Sequence, residues 1–552
     1  MKNILILITA VVGVSACASK TASEPEVDYS KPITLSAPAA QKQAEVAPSV
    51  TVSNQAVLKK SSRDYPSLAE SVQQPLQMQV DNEKYAKVES NITQSVQENP
   101  ISTFSIDVDT ASYANARRFI MNGRLPPKDA VRPEEFINYF SYNYERPKTA
   151  DTPFAVDTEV GPSPWNKDKY LLHVGIKGYE PKSDIKVPKN LVFLLDVSGS
   201  MQAPNKLGLV KKSLALLVKQ LNKEDSIAIV VYAGSSGLVL PPTPANNRLK
   251  IMSALNSLRA GGSTNGGEGI RLAYQVAQQA FIKNGINRVI LATDGDFNVG
   301  ITGTDNLVEL VSKEKQKGVG LTVLGFGMGN YNDNMMEMIS NKGDGNAAYI
   351  DSLKEAQKVL VHDLKANLMT IAKDTKIQIE FNPAVVSEYR LIGYEDRMLN
   401  REDFNNDKVD AGEVGAGHSV TAIYELSLVG GKNQAYSPLR YQTADKEQQQ
   451  KDDNSNELGF LKIRYKLPNE TSSRLLTHAI EKNQIQHDIA KTSTSFQFSA
   501  AVSAFAQKLR GGKYLGEYSY RDIASLARQN RGDDKYGYRS EFLQLVELAA
   551  SL

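Results

Sequence analysis

The chain has 552 residues, of which 41% are hydrophobic, so it is long enough for several domains with sizeable cores. Its 64 Lys and Arg residues almost balance its 62 Asp and Glu residues, and no long basic block occurs. This charge pattern argues against electrostatic capture of nucleic acid. The single cysteine, Cys17, excludes an internal disulfide.

The first residues have the pattern of a signal peptide, which we assign to residues 1–16. Lys2 supplies a positive charge, a short apolar segment follows, and small residues precede Cys17. Residues 14–17 resemble a bacterial lipobox. This resemblance implies cleavage before Cys17 and its lipidation, and Ala18 then favours the outer membrane, facing the periplasm or the surface. A plain secretory signal with an incidental cysteine is the alternative.

Residues 17–97 are rich in Ser, Gln, Ala, Pro and Val and show no sustained periodicity. We expect a disordered tether, because this composition offers too little apolar surface to offset the entropy lost on ordering. An N-terminal α/β segment is expected at 98–150. Within it, apolar alternation at 104–108 predicts a half-buried strand, and 111–122 predicts a helix.

Strand and helix patterns alternate through 189–370. The apolar run 191–195 is typical of a central parallel strand that is buried on both faces. Further strands at 227–232, 289–292 and 321–324 alternate with helices that carry apolar stripes. The pattern predicts an α/β domain with a doubly wound parallel sheet, whose ligands bind beyond the carboxyl ends of the strands.

Antiparallel strands are predicted on both sides of this domain. They fall in 151–188 and 374–468, so we expect the α/β domain to be inserted into an antiparallel β-sandwich. Residues 469–552 are expected to form a C-terminal helical segment.

Three loops at the expected carboxyl ends of the parallel strands carry hydroxyl and carboxylate groups. Asp196, Ser198 and Ser200 lie in the first loop, Thr264 in the second and Asp294 in the third. Hard divalent cations prefer such oxygen ligands, so we expect Mg²⁺, with Mn²⁺ or Ca²⁺ as alternatives. Because only two carboxylates are present, the bound cation would keep an open position for an incoming carboxylate.

These five residues resemble the metal-ion-dependent adhesion site of von Willebrand factor A domains, a Rossmann-like fold. The resemblance implies that Ser198, Ser200 and Thr264 coordinate the cation directly or by exchange with water. It also implies that Asp196 often acts through water, and that the open position takes an Asp or Glu of a partner protein.

Three other segments, 103–113, 132–136 and 402–407, are similar to the bacterial YfbK-like von Willebrand A lipoproteins. This similarity covers most of the chain after the tether. It implies the same domain order, but it does not name a ligand.

Two further motifs are incomplete. Asp403, Asn405 and Asp407 match the first ligands of an EF-hand loop, but Lys408 and Val414 replace its Gly and its final Glu, so a polar turn is expected. The glycines in 325–329 do not have dinucleotide-loop spacing, and no P-loop lysine follows any glycine cluster, so nucleotide binding is not expected.

The leading hypothesis from the sequence is a lipid-anchored binding protein of the cell envelope, and not an enzyme. It would recognise an acidic group of a protein partner through a divalent cation. One alternative is a metal-dependent hydrolase acting on phosphoesters, which lacks an evident general base and second metal cluster. The other is an architectural envelope protein with a vestigial metal site.

Overall fold

The structure, a computed structural model, describes residues 82–106, 108–181, 187–295, 297, 304–437 and 456–552, which all belong to one unit. The expected signal peptide and Cys17 lie outside the described residues. None of the helices in the described part of the chain has both the length and the hydropathy needed to cross a membrane.

Within these described ranges the chain forms sixteen strands and twelve α-helices. The strands are β1 Gln94–Ser95, β2 Ile101–Ser105, β3 Phe154–Pro162, β4 Tyr170–Gly178, β5 Lys189–Asp196, β6 Ser226–Tyr232, β7 Ser236–Pro244, β8 Ile286–Thr293, β9 Gly320–Phe326, β10 Ala347–Ile350, β11 Thr370–Phe381, β12 Val386–Ile392, β13 Gly412–Gly415, β14 Ser419–Leu428, β15 Glu457–Lys466 and β16 Arg474–Glu481. The helices are α1 Ala111–Met121, α2 Pro133–Asn138, α3 Leu207–Gln220, α4 Arg248–Ser257, α5 Gly266–Gln279, α6 Thr304–Gln316, α7 Asp333–Lys342, α8 Leu353–Gln357, α9 Leu364–Leu368, α10 Thr494–Leu509, α11 Tyr520–Gln529 and α12 Tyr538–Ala549.

The predicted α/β domain contains a six-stranded sheet in the order β10-β9-β8-β5-β6-β7. Central β5 pairs in parallel with β6 and β8. Its residues Leu191, Phe193 and Leu195 pack in a core with α3 and α4, whereas Val192 and Leu194 pack in a second core with α5 and α7. Helices therefore cover both faces of the sheet, as the double burial of the apolar run predicts.

Edge strand β7, which the sequence analysis did not predict, runs antiparallel to β6. It contains Pro241 and Pro242, and proline lacks the N–H needed for ladder pairing. Such residues weaken the strand signal of a sequence but are tolerated in an edge strand.

Two antiparallel sheets form the predicted sandwich. One has the order β1-β12-β14-β4-β3; the other has the order β13-β11-β15-β16, with β2 also paired to β11. Apolar residues of both sheets, such as Leu172, Val174, Ile377 and Ile463, share one buried cluster.

The expected boundaries of the sandwich are wrong at two places. Strand β2 lies before 151–188, and strand β16 lies inside the segment that was expected to be helical, 469–552. Leu475 in β16 is 50% exposed, so the strand lacks a clear apolar face. Its pairing with β15 is a long-range contact that local periodicity does not report.

The expected tether extends too far along the chain, because 82–97 is ordered against the folded part. Glu83 forms a buried ion pair with Arg118 at 2.6 Å, and the backbone N–H of Asn82 donates to the carbonyl of Gly329. Strand β1 pairs with β12. Val96 is also buried, but the ionic and main-chain contacts leave no trace in the hydrophobic pattern.

Aromatic side chains join the N-terminal helices to the C-terminal helices. Phe136 of α2 and Phe140 lie in one buried cluster with Phe498 and Phe505 of α10 and Phe542 of α12. Edge-to-face ring contacts at 5.2–5.6 Å connect Phe140, Phe498 and Phe542. Helix α2 and the C-terminal helices therefore share one hydrophobic core.

Acid is expected to destabilise the sandwich through His173, a fully buried residue of β4. Burial lowers the pKa of His173 to about 3, while an unfolded histidine titrates near 6.5. Both states are neutral at higher pH, so the contribution of His173 to stability is complete there. As the pH falls below about 6.5, only the unfolded state takes up the proton, and about 2 kcal/mol is lost by pH 5.

Urea unfolding of the wild type and of His173→Gln at pH 7.5 and pH 5 measures this effect. The amide keeps a polar partner for the hydroxyl of Tyr144, which lies 3.0 Å from Nε2 of His173. We expect a smaller loss of stability on acidification in His173→Gln. The exposed His487→Gln serves as the control. Equal pH dependence in wild type and His173→Gln would contradict the assignment.

Candidate metal site

The three predicted loops meet at the carboxyl edge of the parallel sheet. Asp196 is the last residue of β5, and Asp294 directly follows β8. The loop that contains Thr264 is joined to the first loop by two backbone hydrogen bonds, from Gly199 N–H to the carbonyl of Gly262 at 3.0 Å and from Gly261 N–H to the carbonyl of Val197 at 2.7 Å. These links place the residues of all three loops at one edge.

Hydrogen bonds orient the carboxylate of Asp196. Its Oδ1 accepts from the backbone N–H of Ser198 at 2.8 Å. Its Oδ2 accepts from the hydroxyls of Tyr232 at 3.2 Å and Thr293 at 3.3 Å. Tyr232 and Thr293 were not among the predicted site residues, although they end the two strands beside β5. Their positions could have identified them, because Tyr232 is the final residue of β6 and Thr293 is the final residue of β8.

The hydroxyl groups form the open side of the site. Ser198 Oγ and Ser200 Oγ are 3.0 Å apart. Ser198 is buried, whereas Ser200 and Thr264 are half-buried, so both reach the surface beside the buried carboxylates. A ligand can therefore approach the hydroxyls from solvent but not the back of the carboxylates.

Two buried carboxylates give the site its negative charge, since Asp196 and Asp294 are both 0% exposed. Burial raises the pKa of the Asp196 carboxyl to about 6, and the nearby charge of Asp294 acts in the same direction. A cation would relieve both effects. Together with the hydroxyl oxygens, this donor set fits a hard divalent cation.

The ammonium group of Lys206 supplies a positive charge at the site. Its ammonium donates to Oδ2 of Asp294 at 2.7 Å, and its side chain is 9% exposed. The side chain passes over Gly327, where a Cβ would lie 2.4 Å from Cε of Lys206. Gly327 also has a φ of +78°, which favours glycine. Gly327, one of the glycines in 325–329 that do not have dinucleotide-loop spacing, therefore leaves space for this lysine.

Comparison with known proteins decides the family. A family model described as von Willebrand factor type A domain matches residues 190–362, and models described as von Willebrand factor and as Uncharacterized protein YfbK, C-terminal match 79–173 and 366–552. YfbK of Escherichia coli (strain K12) is 47% identical over 472 residues, which are 84% of this chain and 81% of that protein. The chain belongs to the YfbK family. Its α/β domain is a von Willebrand A domain, so the predicted family and fold class are confirmed.

Some proteins outside the YfbK family are more distantly similar to this YfbK-family chain. Human inter-alpha-trypsin inhibitor heavy chain H3 is 26% identical over 281 residues, 47% of this chain and 30% of that protein. The solved structure of von Willebrand factor type A from Catenulispora acidiphila is 14% identical, with a TM-score of 0.39, and covers 71% of this chain and 89% of that chain.

The EF-hand-like segment of this YfbK-family protein has structural contacts. Oδ2 of Asp403 accepts from the backbone N–H of Asn400 and caps a short 3₁₀ helix, Arg401–Asn405. The side-chain oxygen of Asn405 accepts from Arg464. The segment is therefore a polar connection between strands, in agreement with the polar turn that its incomplete motif predicts.

Replacing Lys206 by Met is expected to strengthen divalent-cation binding by at least about tenfold, because a unit positive charge beside Asp294 competes with the cation. Without a divalent cation, the same variant loses the ion pair between Lys206 and the buried Asp294, so its melting temperature falls, and the increase in melting temperature on adding Mg²⁺ becomes larger. Lys212→Met, an exposed change on α3, the helix that directly follows Lys206, is the control. Calorimetry and thermal shift measure both effects. Weaker Mg²⁺ binding by Lys206→Met would show that the lysine supports the cation.

Proposed function

We propose that this YfbK-family protein binds an acidic group of a protein partner through a divalent cation, Mg²⁺ in the first instance, held by Asp196, Ser198, Ser200, Thr264 and Asp294. The observation that carries this proposal is the asymmetry of the site: carboxylates are buried beneath hydroxyls that reach the surface. A bound cation would supply an electrophilic coordination position to the partner's carboxylate.

Hydrogen bonds within the chain fix the orientation of the Asp196 carboxylate before a ligand binds. Tyr232 and Thr293 hold one oxygen of Asp196, and the backbone of Ser198 holds the other. The fixed orientation means that little side-chain entropy is lost when a ligand binds. The backbone links between the first two loops keep Ser200 and Thr264 on the same edge of the sheet.

Binding is favoured over hydrolysis by the groups that surround the site. Two-metal hydrolysis needs a second cluster of ligands, and the described residues contain no group of three or more His, Cys, Asp or Glu side chains that could hold a metal. Tyr232 donates to Asp196, and burial raises its pKa well above the usual value, so it is poorly suited to act as a base.

A second candidate function rests on Lys206. Because its ammonium already balances the charge of Asp294, the fold has an internal cation at this edge. An architectural protein with a vestigial metal site would show this arrangement and would need no divalent cation.

Capture of partners from membrane extracts separates these functions. Wild type and Asp196→Ala are each tested with Mg²⁺ and with chelator. The proposal expects partners only with wild type in Mg²⁺. Equal retention in all four conditions would contradict it and favour the architectural role. Phosphoesterase turnover that is lost in Asp196→Ala would replace it with the hydrolase.

We also propose that the chain is anchored to the outer membrane through lipid on Cys17, which rests on the lipobox-like residues 14–17. Multiple acyl chains give stable anchoring where one chain is marginal. Mass spectrometry of the membrane fraction should find an acylated Cys17, and Cys17→Ser should release the protein. An unmodified Cys17 in a mature chain would contradict the proposal.

A further inference from the structure

A second polar cavity lies where three parts of the molecule meet, at the end of the parallel sheet opposite the metal site. It has a volume of about 230 Å³. Its walls come from the segment after α2, from the sandwich around Lys177 and His418, and from the last helical turns of the von Willebrand A domain, which include Lys358 and Lys365. Ala347 at the start of β10 marks the end of the sheet on which it lies.

Positive charge exceeds negative charge around this cavity. Lys177, Lys358 and Lys365 line it, against Glu180 and Asp363. Lys358 pairs with Asp363 at 2.6 Å, and Lys365 pairs with Glu180 at 3.5 Å. Both carboxylates are thus engaged by the other two lysines, which leaves Lys177 as the source of excess charge.

Lys177 is the unusual member of the group. Its ammonium donates to the carbonyl of Gly417 at 2.6 Å and to the hydroxyl of Ser419 at 3.0 Å. Within the described ranges, no carboxylate lies within ion-pair distance of it. Burial lowers the pKa of Lys177 and the charge of Arg146 adds to the effect, whereas the charges of Glu180 and Asp363 act in the opposite direction. Glu180 and Asp363 already pair with other lysines, so a bound anion would add to the neutralisation of this partly buried cation.

His418 adds a directional group beside Lys177. Its Nδ1 is buried and has no hydrogen-bond partner among the described residues. Buried polar atoms are normally paired, and an unpaired one calls for an explanation. An N–H on Nδ1 together with the ammonium of Lys177 would hold two oxygens of one anion.

We propose that this cavity binds a small oxyanion, a phosphate or a short carboxylate, between Lys177 and His418. The volume is below the roughly 300–1,000 Å³ of pockets for drug-sized ligands, so only a small molecule fits. Lys177 and His418 both belong to the sandwich, and the A domain supplies another wall of the cavity, so the ligand would lie at the junction of the two. The site shares no residue with the metal site, so its occupancy is independent of the proposed function.

Calorimetric titration of the full-length protein in chloride buffer tests the site with inorganic phosphate and, separately, with acetate. The wild type should bind at least one of them at a single site that chelator does not affect. Lys177→Gln should weaken binding by at least tenfold, because a charge-assisted hydrogen bond is lost. Lys462→Gln, on β15 outside the cavity, should bind like wild type. Preference for phosphate or for acetate identifies the ligand class.

His418→Leu provides a second variant, which removes the ring nitrogen and approximates the bulk of the side chain. It should show a similar loss even where Lys177→Gln fails to fold. Absence of binding to the wild type, or wild-type affinity in either folded variant, would overturn the proposal.

Discussion

Asp196→Asn is expected to weaken Mg²⁺ binding at least about 100-fold. Even substitutions of residues that only hydrogen-bond to metal ligands lower metal affinity about 10–100-fold. The amide keeps an acceptor for the Ser198 N–H and nearly the same volume, so the loss reports the charge and not the loop. Calorimetric titration of the full chain measures it.

Asp225→Asn is the matched control for this substitution. Asp225 is also buried, at 2% exposure, and accepts backbone N–H groups of Lys189 and Asn222 at the opposite end of the sheet. It should lower stability without changing Mg²⁺ affinity. If both variants bind Mg²⁺ like wild type, the five residues do not form the cation site.

Arg117→Ala is expected to lower the free energy of unfolding by about 3–5 kcal/mol, the range for breaking a buried charge pair. The side chain of Arg117 is 4% exposed and contacts Asp351, Glu355 and Glu541. It thereby ties α1 to the end of the A domain and to α12. Removing it leaves these carboxylates without their shared cation, which burial makes costly.

Chemical unfolding of Arg117→Ala measures this loss, with Arg528→Ala as its control. Arg528 pairs with Glu547 on the surface, and the two side chains are 59% and 54% exposed. Exposed pairs contribute about 0–1 kcal/mol, so this variant should stay close to wild type. A comparable loss in both variants would contradict the claim that burial makes the ion pairs of Arg117 the stronger contribution.

The α/β domain and its loops could be predicted because their signals are local. Alternate residues such as Phe193 and Leu194 point to opposite faces of a strand, so a continuous apolar run indicates a strand buried on both sides. Asp196, Ser198 and Ser200 are close together in one loop, so their spacing can be read from the sequence. The pairing of β5 with β8 places Asp294 beside this loop.

The remaining features depend on residues that are far apart in the chain. The ion pair of Glu83 with Arg118 orders residues that look like a tether, and Lys206 meets Asp294 across 88 positions. The anion cavity combines segments that are far apart in the chain, from Val108 to Ser419. None of these contacts produces a periodic pattern or a fixed spacing in the sequence, so they can be predicted only once the fold is known.

The most direct test of the central claim replaces Mg²⁺ by Mn²⁺ and measures water proton relaxation as acetate is added. If the site presents an open coordination position to carboxylates, acetate displaces a metal-bound water, and the relaxation enhancement of the wild type falls. Acetamide, a neutral analogue of similar size, should have no such effect, and Asp196→Asn should show little enhancement at the start. A wild type that shows no enhancement, or one that acetate leaves unchanged, would contradict cation-dependent recognition of an acidic group.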